Sequence, residues 1–241
     1  MSTNKIEFTN TKAYEFIKIF MYQVDISIKE GKQFENKTQI DILNLINQRI
    51  EDTPLDSSSH RFANNACLSI FEFLKSFENI YLVNSFGNAS RMDYGTGHEL
   101  NYFCNLFVLY KKGYCKINEV FYTLKIYFRV VRNFISKYNI EPAGSQGIWG
   151  IDDYQILPYL FGSSELFNSN RNILELDTSY CYVECLKSTK NKNSLVLSSF
   201  KNKRWFDINR NSLNMYDNQV FKKNVITQHF IYSEYLPNTK K

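Results

Sequence analysis

The chain has 241 residues, 44% hydrophobic and 16% aromatic, and a formal net charge of +5. That length suits one large domain or two small ones with a sizeable core, and 22% charged residues mark a globular chain rather than a disordered one. Lysine and arginine are spread without a basic block, which excludes a nucleic-acid arm and leaves only a mildly basic surface.

The opening MSTNKIEFTN is polar, without the apolar centre of a signal segment, and residues 1–10 read as a flexible end, as do 238–241. Ile17, Phe20, Met21, Val24 and Ile28 recur at three and four residues and predict a first helix, which Gly31 stops. Ile40, Leu43, Ile46 and Ile50 predict a second, closed by DTPLDSSS. Phe62, Ala66, Ile70, Phe73 and Phe77 predict a third. A fourth begins near His98 and carries Leu100, Phe103, Leu106, Phe107 and Tyr110 up to Lys111-Lys112-Gly113, and a fifth runs through Val120, Leu124, Phe128, Val131 and Ile135.

EPAGSQGIWG follows, the most glycine-dense stretch, and then further apolar-periodic segments in which Pro158 should kink or restart a helix. TKNKNSLVLSSFKNKR reads as an exposed basic loop with a short strand at Leu195–Leu197. No apolar run reaches the roughly eighteen residues of a membrane span. The five cysteines, Cys67, Cys104, Cys115, Cys181 and Cys185, form no C-x-x-C pair and read as thiols of a reducing compartment. With only three histidines, a structural zinc at Cys181 and Cys185 lacks ligands. The expectation is a soluble cytoplasmic or nuclear protein without nucleic-acid or membrane partners. Its fold class is all-α, a single domain over residues 1–241, either undivided or with two lobes around a central cleft.

Three stretches could carry chemistry. In RMDYGTGHE (91–99), Thr96 and Glu99 have the spacing of a capping box at a helix start. The same geometry offers free amides and a positive dipole end to an anion, with Gly95 and Gly97 permitting close approach and Arg91 adding charge. Local sequence leaves both readings open, and no Gly-Lys-Ser/Thr of a P-loop follows. In GIWGIDDYQILPYLFGSSEL, Asp152 and Asp153 open an apolar helix, and two successive residues point about 100° apart. One of them at most would ligate an ion such as Mg²⁺, and helix-dipole stabilisation alone also explains the pair. His229 in ITQHF, beside apolar residues, reads most simply as structural. The chain has no G-x-S-x-G and no H-E-x-x-H.

Taken together, TPLDSSSHRFANNA, VNSFGNASRMDYGTGHEL, EPAGSQGIWGIDDYQILPYLFGSSEL, the spaced Trp205, Asn209, Met215 and Tyr216, and the closing Gln228–Phe230 resemble the phosphotyrosyl phosphatase activator family, the activators of serine/threonine protein phosphatase 2A. The resemblance implies an all-α fold that binds ATP with Mg²⁺. It implies docking on the phosphatase catalytic subunit, with or without the scaffold subunit, and a chaperone role in reaching the metal-loaded state, with any ATP hydrolysis confined to the complex. It also implies an alternative, peptidyl-prolyl cis–trans isomerase activity on proline-containing peptides, with Trp149 and Asp152 as groove-wall, catalytic residues. A binding module with a degenerate nucleotide site is the remaining alternative. Matched by motif, the nucleotide contacts are Arg91, Thr96, Gly97, Val225, Ile226, Gln228 and His229, and the magnesium positions are Gly147, through its carbonyl, and Asp153. The chain departs from the family in lacking G-P-F-x-E-H-S after Cys181–Leu186, where KNKNSLVLSSF stands. It also has Ala63 and Asn211 where the family has glycine, Val225 for proline and Ser233 for glycine.

Overall fold

A computed structural model of the chain describes residues 6–58, 62–144, 149–189 and 194–241. Helix α1 (Lys12–Glu30) starts where the Thr11 hydroxyl accepts the Tyr14 amide at 3.2 Å and ends at Gly31. It buries the predicted stripe of Ile17, Phe20, Met21, Val24 and Ile28. Asn36 caps α2 (Lys37–Asp52) by accepting from Gln39 N, and Leu43, Ile46 and Ile50 face the core. Short helices α3 (Cys67–Lys75) and α4 (Ile80–Val83) lead to strand β1 (Asp93–Tyr94), helix α5 (Thr96–Lys111) and helix α6 (Val120–Tyr138). Strand β2 (Glu141–Pro142) pairs in parallel with β1 in a two-residue ladder. Then come α7 (Leu157–Glu165), α8 (Cys181–Ser188), α9 (Leu195–Phe200) and α10 (Trp205–Tyr216). A π-helical turn (Asp217–Phe221) and α11 (Asn224–Thr227) close the chain's helical part. The fold is all-α apart from that small ladder.

The core centres on α5 and α6, which are buried on most of their faces. Tyr102 of α5 stacks on Tyr127 of α6 with ring centroids 3.7 Å apart. The Tyr127 hydroxyl donates to the Ser85 carbonyl at 2.6 Å and shares a 2.9 Å hydrogen bond with Tyr94, so these two phenols are partnered, whereas the buried Tyr102 hydroxyl has no hydrogen-bond partner among the described residues. Asp25 on α1 ties three helices together. Its carboxylate accepts from Lys29 at 2.6 Å, from the Ser164 hydroxyl of α7 at 2.7 Å and from Asn209 of α10 at 2.9 Å.

Several expectations are corrected. The third apolar stripe is displaced: α3 buries Cys67, Ile70, Phe71 and Leu74, while Phe62 is exposed and outside the helix. Leu195–Leu197 opens a helix rather than a strand, because the Ser194 hydroxyl caps it by accepting Leu197 N at 3.1 Å. Asp152 and Asp153 do not open a helix: α7 starts at Leu157, with Pro158 in its first turn, where the missing N–H costs nothing. Of the ends expected to be loose, residues 1–5 lie outside the described residues, while the described remainder is tied together: Lys12 N donates to Thr239 O at 2.8 Å and Lys241 N to Asn10 O at 3.2 Å. All five cysteines are buried and free. Among the described residues no helix is long and apolar enough to cross a membrane.

Candidate functional site

The stretch 91–99 becomes a turn, a strand and a helix start. Gly87 has φ +119°, and a Cβ there would sit 2.4 Å from the Asp93 carbonyl oxygen, so the return of the chain onto β1 requires glycine. Within that return Asn88 N donates to Asp93 O at 2.9 Å and Arg91 N to the Asn88 side-chain oxygen at 3.0 Å. Arg91 Nε then donates to Asp93 Oδ2 at 2.6 Å, which aims the guanidinium along the turn. β1 delivers the chain to Gly95, the N-cap of α5.

No side chain caps α5. The expected capping box of Thr96 and Glu99 does not form, because Thr96 is the first helical residue and Glu99 turns inward. The Glu99 carboxylate is fully buried and accepts Ile156 N at 3.1 Å and Leu157 N at 3.0 Å. It therefore caps a helix, but the distant α7 rather than its own. Burial pushes the Glu99 carboxyl well above the ordinary range, against the pull of those two amides. The uncapped first turn leaves the Thr96 and Gly97 amides without a backbone partner among the described residues, at the positive end of the helix dipole.

That helix start borders a cavity of about 540 Å³. Arg91, Thr96, Gly97 and Asp153 line it together with Val225, Ile226 and His229 of the C-terminal segment. Gly97 and Ile226 adjoin in its wall, since a Cβ on Gly97 would stand 3.4 Å from Ile226 Cγ2. His98 is also in the wall. Its Nδ1 lies 2.8 Å from the Asn84 carbonyl, which fixes the proton on that nitrogen, and burial lowers its pKa, so the ring is neutral near pH 7.

Seven of the positions named from sequence thus converge from three distant stretches. Others do not. Gln228, just after α11, turns its amide back to the Val225 carbonyl and does not line the cavity. Gly147 lies outside the described residues. Trp149 is 74% exposed and does not line the cavity.

Asp152, expected in a groove wall, is instead 1% exposed. Its Oδ2 accepts Arg132 Nη2 and the Tyr159 hydroxyl, each at 3.0 Å, and its Oδ1 accepts Tyr154 N at 2.8 Å. That carboxylate is spent on holding α6, α7 and the turn between them, so it meets no ligand at a surface. Sequence reasoning missed Lys223, Asn84, Asn88 and Gln219, which also line the cavity. Lys223 could have been noticed two residues before Val225; the others carry no local pattern. Chemically the cavity offers two cations, two uncapped amides, one carboxylate and an apolar wall at Val225 and Ile226. That set suits a phosphorylated ligand with a flat apolar part and a divalent ion.

The chain is similar to known proteins over nearly its whole length. A family model described as "Phosphotyrosyl phosphate activator (PTPA) protein" matches residues 2–238. A serine/threonine-protein phosphatase 2A activator of Encephalitozoon cuniculi is 47% identical over 234 residues, covering 97% of this chain and 95% of that protein. A serine/threonine-protein phosphatase 2A activator 2 of Saccharomyces cerevisiae is 36% identical over 182 residues, but this match spans 66% of the chain and only 51% of the yeast protein. A crystal structure of the PP2A phosphatase activator Ypa1 PTPA1 has the same fold, with a TM-score of 0.86 over all of this chain and 94% of that one, at 24% identity.

Proposed function

The chain belongs to the phosphotyrosyl phosphate activator family, and from that premise we propose that it activates protein phosphatase 2A by docking on the catalytic subunit with Mg-ATP held in the cavity at α5 and α11. The observation that carries the proposal is the convergence of Arg91, Thr96, Gly97, Asp153, Val225, Ile226 and His229 on that cavity. The donor set fits the nucleotide. Arg91, Lys223 and the amides of Thr96 and Gly97 would hold phosphate oxygens, Asp153 would hold the magnesium ion, and Val225 and Ile226 would face the base. The bound ion and nucleotide would supply charge and contact area at the edge where the phosphatase docks. The chain's own part is to hold the phosphates on a rigid helix start. Glu99 fixes that start against α7.

The isomerase alternative has less behind it, because Asp152 is sequestered by Arg132 and Tyr159 and only Trp149 of the two suggested residues reaches the surface. The test is a calorimetric titration of Mg-ATP into the chain alone and into its mixture with the phosphatase catalytic subunit. Tighter binding in the mixture, weakened by Arg91→Ala, is expected. Equal heats for the Arg91→Ala variant and the parent would sink the proposal.

A further inference from the structure

A second cavity, of about 690 Å³, opens on another part of the molecule. It lies among residues 171–176, α8, α9 and the start of α10 and shares no lining residue with the first. Its volume lies in the range of pockets that enclose most of a ligand. Leu176, Tyr182, Val183, Phe200, Trp205 and Ile208, all buried, form its floor. The Trp205 indole is fixed by a 2.9 Å hydrogen bond to the Arg171 carbonyl. An apolar floor with a fixed aromatic ring is built to receive a large apolar side chain.

The charge around it has one sign. Arg171, Lys187, Lys201 and Lys203 line the cavity, and among the described residues no aspartate or glutamate does. The sequence repeats the bias: between Cys185 and Phe206 there is no acidic residue and there are six basic ones. Nearby carboxylates offset this only in part: Asp207 pairs with Arg204 at 3.3 Å, Glu175 turns back to accept Asn172 N at 2.9 Å, and Asp177, close enough to Arg171 and Lys187 to feel their charge, accepts Ser179 N at 2.8 Å, so the four lining cations outnumber the two acids without a basic partner. The cations come from separate elements: Arg171 before the turn Ile173–Glu175, Lys187 in the last turn of α8, and Lys201 and Lys203 in the link from α9 to α10. A ligand with one anionic head would use cations gathered at one point. Cations spaced around an apolar floor match a chain carrying several carboxylates about an apolar anchor. Asn172, Ser198 and Asn202 add polar groups at the lining that can meet a peptide backbone.

We propose that this cavity is a docking site for an acidic peptide segment of a partner protein, which inserts one large apolar side chain between α8 and α10 while its carboxylates meet the basic rim. The assignment does not depend on the nucleotide cavity. Electrostatic attraction of this kind speeds association and weakens with salt.

The test uses fluorescence anisotropy of a labelled peptide, EEDLFEDDE, with the full chain. Saturable binding is expected, about tenfold weaker when Leu and Phe of the peptide become Ala, and weaker again as salt rises through the physiological range. Lys201→Glu with Lys203→Glu, at exposed positions, should weaken it about tenfold or more. Ser198→Trp, also exposed, should close the mouth and abolish binding; unchanged thermal melts would establish that both variants fold. The proposal is overturned if the peptide does not bind the parent chain, or if a peptide with lysine for every acid binds equally. Binding that survives the charge reversal or Ser198→Trp also overturns it, as does saturable dodecanoate binding without peptide binding.

Discussion

Glu99→Ala removes the carboxylate that joins the start of α5 to the start of α7. In the folded chain Ile156 N and Leu157 N donate to that carboxylate and, among the described residues, to nothing else. Without it two buried amides lose their acceptor, at about 1–3 kcal/mol each, and a buried methylene is lost at about 0.8 kcal/mol. Relief of the buried acid's own desolvation offsets part of this. The expected loss is about 2–5 kcal/mol in urea unfolding at unchanged m, a large fraction of a typical domain's stability. Glu99→Gln keeps an acceptor and should lose far less. The pH dependence separates the two further. Because burial raises the Glu99 pKa, the native chain holds a proton that the unfolded chain has released above the ordinary carboxylate range. Wild-type stability from this group is therefore fully present below that range and declines as pH rises toward the folded pKa. Glu99→Gln has no such slope, so its stability relative to the parent should improve as pH rises. A Glu99→Ala variant within about 0.5 kcal/mol of the parent, or a Gln variant whose gap is flat with pH, would refute the reasoning.

Arg132→Leu strips the cation from the buried Asp152 carboxylate, and a loss of about 3–5 kcal/mol is expected in chemical unfolding; a near-neutral result would mean that Tyr159 and the Tyr154 amide suffice. Gly162→Ala should destabilise by at least about 1–3 kcal/mol, since its Cβ would stand 2.5 Å from Tyr182 N where α7 crosses α8. Thermal melts would read that, and an unchanged melting temperature would contradict the packing. Lys223→Glu, at an exposed position, should leave the melt unchanged and weaken Mg-ATP binding about tenfold or more in calorimetry. Unaltered binding would remove Lys223 from the phosphate contacts.

The long amphipathic helices were legible because their period is local. The stripes of α1 and α6 read directly from the sequence, and Thr11 and Gly31 bound α1. Short elements were not. β1 and β2 are two residues each, and their pairing joins positions 48 apart (93 with 141), which no local pattern reports. At α9, Leu-Val-Leu has strand character, yet the Ser194 cap and the packing of Phe200 make it helical. The spacing of Thr96 and Glu99 pointed to a capping box because that motif is defined within one helix; the partner of Glu99 stands 57 residues away at Ile156. For the candidate site, seven of the residues matched by motif line the cavity, but Asn84, Asn88 and Gln219 enter only through the fold. The adjacent aspartates separate for a physical reason: Asp152 is drawn inward by Arg132 while Asp153 lines the cavity.

The central claim is tested most directly by mixing the chain with inactive, metal-depleted phosphatase 2A catalytic subunit, Mg²⁺ and ATP and following phosphoserine-directed activity. Activity should rise with the parent chain, depend on ATP, and fall sharply with Arg91→Ala combined with Lys223→Glu. A rise that needs no nucleotide, or that the double variant supports as well as the parent, would contradict the account.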